Sequence, residues 1–146
     1  MLGRPGLLPA GDNVAWPLLS TAENMRVYSD IDVPRERITV TFLREITLYD
    51  ISEMVHTSRA AGVLHFRLLA DTRNARFQME PCELNQFREL LRELARRSRL
   101  GQTAVLVQDE TDLAFSKAIS TEAEDFCRVK GFLDRAEAER WLGWIE

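Results

Sequence analysis

The hydrophobic pattern changes period along this chain, and that change constrains the fold more than any other feature. Runs of period two alternate with runs of three- and four-residue spacing, the signature of strands alternating with helices. MRVYS (Met25–Ser29) and RITVTFL (Arg37–Leu43) are alternating runs rich in β-branched residues, joined by a turn at Pro34. In TLYDISEMVHTSRAAG, Thr47 is placed to cap a helix, Leu48, Ile51 and Val55 share a face, and Gly62 lies past the end. VLHFRLLA (Val63–Ala70) is a third strand, leading into a polar loop, DTRNARFQME. Pro81 opens the clearest helix, in which Leu84, Phe87, Leu91, Leu94 and Ala95 recur at helical steps as far as Gly101. TAVLV (Thr103–Val107) is a short buried strand. QDETDLAFSKAISTEAE begins with acids suited to a helix N-terminus. A last strand is expected near Phe126–Lys130. Asp134 caps a final helix with Ala138, Trp141, Leu142 and Ile145 on one face.

The order is β-β-α-β-α-β-α-β-α, an α/β fold. Alternating strands and helices with right-handed crossovers predict a mostly parallel five-stranded sheet. Residues 1–24 hold three Pro and three Gly and are expected to form an irregular N-terminal arm. Residues 25–146 then form a single domain, since 146 residues leave no room for two.

Strands covered on both faces should be continuously apolar, and these are not. Each has one apolar and one mixed face, so all four helices are expected on one side of the sheet. The other face would carry Arg26, Tyr28, Thr39, Thr41, His65, Arg67, Arg128 and Lys130. These eight residues are the candidate binding surface. Of 19 basic residues, 17 are Arg, so a local cationic patch is a natural expectation. The net charge of −4 argues against a general nucleic-acid binder.

Recognisable catalytic chemistry is sparse. No G-x-x-x-x-G-K-[ST], G-x-G-x-x-G or G-x-S-x-G motif occurs. His56, His65, Cys82 and Cys127 lack zinc spacing, and Glu53–His56 is a single E-x-x-H step. No metal or cofactor is therefore expected. Arg88, Arg92, Arg96 and Arg99 stripe the second helix with Glu89 and Glu93 interleaved, which suits a solvated, ion-paired face. Trp141 is expected in the core and Trp144 exposed. Two cysteines make no disulfide framework, the N-terminus has no signal-peptide pattern, and no apolar run reaches 18 residues. A cytoplasmic protein without a membrane span is expected.

RITVTFLREITLYDISEMV, VLHFRLLADTR, TAVLVQDETDLAFSKA and the closing DRAEAERWL together resemble the STAS-like domains, over residues 25–145. That group includes sulfate-transporter cytosolic domains and anti-sigma-factor antagonists. The chain looks most like the SpoIIAA-like branch of small stand-alone bacterial proteins. The resemblance implies sequential strands with helices on one side. Anti-sigma-factor antagonists carry a phosphorylatable Ser at the helix after the third strand. Here no Ser lies between Asp71 and Leu84, and Thr72 sits too early.

The function expected from these features is a non-enzymatic regulatory or signalling module that binds another protein. The alternative is a small-ligand or lipid-binding protein, with a pocket under the helices or the arm. A third reading is a small enzyme using His65 with Arg67 or Asp71. The edge strand and the arm invite self-association, so a homodimer is expected.

Overall fold

The structure, a computed structural model, describes the backbone of residues 13–17 and the whole of residues 27–146. Met25, Arg26, Leu18 and Leu19 lie outside the described residues. The strands are β1 (Asn13–Pro17), β2 (Val27–Asp32), β3 (Arg37–Ile46), β4 (Arg67–Phe77), β5 (Thr103–Leu106) and β6 (Val129–Phe132). The helices are α1 (Leu48–Ala60), α2 (Pro81–Ala95), α3 (Glu110–Ala123) and α4 (Arg135–Trp141). The strands form one sheet in sequential order. β1, β2 and β3 pair antiparallel, and β3 through β6 pair parallel. The mixed, mostly parallel α/β architecture is thus the one the periodicity demands.

Three details differ from the sequence reading. The five expected strands are joined by a sixth, because Asn13–Pro17 in the supposed irregular arm pairs with β2. Its proline lies at the end of an outer strand, where a missing N–H breaks no internal ladder. β4 begins at Arg67 rather than Val63, since Val63–Phe66 forms a turn closed by Phe66 N donating to Val63 O at 3.0 Å. It then runs through the supposed polar loop to Phe77. A register shift opposite Thr41–Leu43 permits this. Leu68, Ala70 and Thr72 face one side before the shift, and buried Ala75 resumes that side after it. The last strand is also displaced, to Val129–Phe132, and Phe126 packs toward the helices ahead of it.

The helices begin where side chains can bond free N–H groups. Asp50 N donates to Thr47 Oγ1 at 3.2 Å, and Thr47 N donates back to Asp50 Oδ2 at 2.8 Å. Asp109 and Asp134 accept from the backbone N–H of Asp112 and Glu137. α2 starts with Pro81, and Glu80 N donates to Glu83 Oε1.

α1, α2 and α3 pack on one face of the sheet. Ile38, Val40 and Leu68 meet Val55, Leu91 and Ile119 there. α4 lies on the other face, where Leu69, Ala104, Leu106 and Phe132 form a separate core with Ala138 and Leu142. The expectation that every helix shares one face is corrected by this. Crossovers between parallel strands fix the side of α1 to α3. α4 follows the last strand, so no crossover constrains it. It settles over Leu69, Leu106 and Phe132, large apolar residues of the mixed face.

Leu142 is fully buried in this second core. Leu142→Ala is expected to destabilise the fold by roughly 3 kcal/mol, from lost burial and the cavity left behind. Urea unfolding measures it, and a change within experimental error would show that α4 contributes little.

Candidate functional site

Tyr28, Thr39, Thr41, Arg67 and Lys130 do project from one face, as the alternation requires. Arg26 lies outside the described residues. His65 does not share that strand surface. It sits exposed in the turn before β4, with its ring edge-on to Phe66 at 4.9 Å between centroids. Arg128 immediately precedes β6. The cations are exposed, and each also makes a contact within the chain. Arg67 Nη1 donates to Leu142 O at 2.8 Å. Arg128 stacks over Trp141 at 5.3 Å, and Lys130 over Phe132 at 5.4 Å. Arg37, which the sequence reading passed over, donates to Trp144 O at 3.3 Å and stacks on the Trp144 ring at 5.1 Å. Trp144, expected exposed, is half-buried against the second core. The basic residues of this face therefore grip α4 and the turn after it, where carbonyls and aromatic faces attract positive charge.

The other half of that face, Tyr28, Thr39 and Thr41, is half-buried or exposed and carries acids. Asp71 lies beside Thr41 and is bonded by Arg73 through Nε at 3.0 Å and Nη2 at 2.9 Å. The Arg73 guanidinium holds the Asp71 carboxyl below the usual carboxylate range. His65 precedes β4 while Asp71 is inside it and already paired, so the catalytic grouping of His65, Arg67 and Asp71 is not assembled. Each of the three has a different neighbour.

A second place stands out between the helices and the sheet. A cavity of about 120 Å³ lies under α1, α2 and α3. Phe42, Ala70 and Val105 form part of its floor, and Met54, Leu91 and Ile119 part of its roof. Its few hydroxyl-bearing residues are Ser58, Thr72 and Thr103. The Thr72 hydroxyl is already used, since it donates to Leu106 O at 2.8 Å. Thr72 is also buried, which removes it as an accessible phosphorylation site. A second, polar cleft of about 230 Å³ is lined by Arg59, Gly62, Leu64, His65, Ser98 and Arg99. Leu64 borders both spaces.

The remaining candidates resolve into structure. Cys127 lines the apolar cavity, and burial pushes its thiol up to about 11, the opposite of an activated thiol. Cys82 is exposed. Arg88, Arg92 and Arg96 pair with Asp125, Glu89 and Glu93. Among the described residues no group of three or more His, Cys, Asp or Glu is placed to hold a metal ion. No helix among them is long and apolar enough to cross a membrane.

The cavity was not named in the sequence reading beyond its general place under the helices. The signal available was the mixture of Phe, Met and Ala facing one another there, which fills space unevenly.

No family model and no curated protein matches the chain. A solved structure does. It is an uncharacterised protein of the DUF3478 family with a SpoIIAA-like fold, from Shewanella loihica PV-4. It aligns with a TM-score of 0.50 at 11% identity, over 92% of this chain and 98% of that one. The fold of this chain is thus SpoIIAA-like. An identity this low establishes the fold alone.

Arg67→Ala tests the grip on α4. It is expected to cost about 1 kcal/mol, the scale of one charged hydrogen bond to a carbonyl at a partly solvated site. Tryptophan emission should shift to the red as Trp141 and Trp144 loosen. Unchanged stability and emission would mean that the second core holds α4 unaided.

Proposed function

We propose that this chain is a non-enzymatic binding module that takes a small apolar ligand into the cavity under α1, α2 and α3. One observation carries the reading: the cavity of about 120 Å³ is bounded almost wholly by apolar side chains. Protein interiors rarely contain voids much larger than a water molecule. A space of this size leaves its lining side chains without contacts they would otherwise make. A ligand that fills it recovers the lost contacts. An engineered apolar cavity of about 150 Å³ holds benzene, so the ligand body here is of about that size.

This reading is preferred over docking of another protein on the sheet face. The docking reading relied on free cations, and Arg67, Arg128 and Lys130 are engaged with α4 and its aromatic neighbours. A regulatory role is compatible with ligand binding, since filling the cavity would stiffen the α1–α3 layer. We place the protein in the cytoplasm, where Cys82 and Cys127 stay reduced. We also expect a homodimer formed along the outer edge of β1. A monomeric mass by light scattering at micromolar concentration would remove that expectation.

Benzene and 1-hexanol are suitable probes. Each should raise the melting temperature of the wild type by a few degrees at ten times its Kd. Ala70→Ile, which fills the cavity from its floor, should abolish the shift while leaving the fold intact. No shift in the wild type at saturating probe would sink the proposal.

A further inference from the structure

We propose that the natural ligand is a small hydrophobic carboxylic acid, its body in the apolar cavity and its carboxylate in the cleft of Arg59, His65 and Arg99. This rests on the ligand-binding reading above and adds the chemistry of the head group. Two spaces share Leu64 as a lining residue. The inner one is apolar. The outer one is lined by two arginines, a histidine and a serine, and by no acid at all. In a chain with 23 acidic residues and a net charge of −4, an acid-free cationic cleft is not the average surface.

These cations, like Arg97 beside Arg99, lack the ion pairs made earlier along α2. Arg88, Arg92 and Arg96 on α2 are each ion-paired. Arg59 and Arg99 make no ion pair among the described residues. Both stand just beyond or within the last turns of α1 and α2, where the helix dipole favours positive charge. That dipole effect is satisfied without a ligand and is worth a fraction of a kcal/mol on an exposed surface. It leaves the guanidinium donors unused. At the end of α1 the carbonyls are already taken, since Ala61 N, Gly62 N and Val63 N donate to Thr57, Arg59 and Ser58. Guanidinium groups bind carboxylates with paired N–H donors, and Ser98 offers a further hydroxyl. Gly62, at φ +73° with open space around it, keeps the cleft free of a side chain.

The inner volume limits the ligand. An unbranched tail of about five carbons or one aromatic ring fills about 120 Å³. Hexanoate is therefore the probe, with 1-hexanol as an uncharged chain of the same six carbons and acetate as the head without a tail. Calorimetric titration at pH 7.5 should show hexanoate binding at least tenfold tighter than 1-hexanol, and acetate not binding. The double variant Arg59→Gln/Arg99→Gln should lose that tenfold for hexanoate and leave 1-hexanol unchanged. Ala70→Ile should lose both. Equal affinity for hexanoate and 1-hexanol, or a double variant that binds hexanoate as the wild type does, would overturn the acid-head proposal and leave the apolar cavity reading standing. If neither compound binds the wild type, both readings fail together. A double variant that is less stable but binds normally would assign Arg59 and Arg99 to the helix ends alone.

Discussion

The parallel pairing of β3 with β4 is the constraint on which the rest of the molecule depends. These are the two longest strands, of 10 and 11 residues, and they lie at the centre of the sheet. The larger core is built on both, and β4 also contributes to the second. Ile38, Val40, Leu68 and Ala70 face the three-helix layer, while Leu69 between them faces α4. A slip of one residue would exchange these faces. The hydrophobic pattern therefore fixes the register, and the register fixes which helix meets which side chain. The shift beside Thr41–Leu43 belongs to the same pairing. It lets β4 continue to Phe77 with Ala75 still inward, and Arg44 takes a left-handed φ of 72° next to it. A non-glycine residue in that conformation costs about 1–2 kcal/mol. The long ladder on either side holds it there.

Helix starts were legible in the sequence because they are chemical. Thr47 with Asp50, Asp109, and Asp134 each bond a specific backbone N–H in the structure. The alternation of strands and helices was legible from period, and their sequential order from the resemblance. The second half of β4 was not, because a bulge shifts the phase of alternation, and DTRNARF then has no single period. β1 was hidden by the prolines and glycines around it, whose conformational meaning depends on what they lie beside. The side taken by α4 was hidden for another reason. Its apolar face says that it packs somewhere, and nothing local says where. The trace was present in Leu69, Leu106 and Phe132, three large apolar residues on strand faces otherwise polar. Ala104 among them leaves room for a helix to approach.

The candidate sheet face was legible as a set of positions, and its contacts within the chain were not. Period two places Arg67 and Lys130 correctly, and Arg128 just before the strand. It cannot tell that the last turn of the chain returns over them. Trp141 and Trp144 lie more than seventy residues from Arg67, and only the fold brings indole faces and the Leu142 carbonyl to these cations. A void is less legible still. It is a property of how side chains from seven elements fail to fill a space. Substituting one residue for another of similar hydropathy would leave the pattern unchanged and the void altered.

The two faces of the sheet are held by different mixtures of contacts. α4 packs through the apolar second core, and directional contacts add to it: a guanidinium bonded to the Leu142 carbonyl, a second to the Trp144 carbonyl, and cations over both indoles. Such contacts have narrow geometry and hold a short helix in one place. α1 and α2 meet the sheet through apolar side chains, whose attraction is non-directional and tolerates small displacements. They also have the cavity beneath them, so part of their inward face has no packing partner. Leu64, which lines both that cavity and the cleft outside it, lies just past the end of α1, and Arg59 and Arg99 line the same cleft.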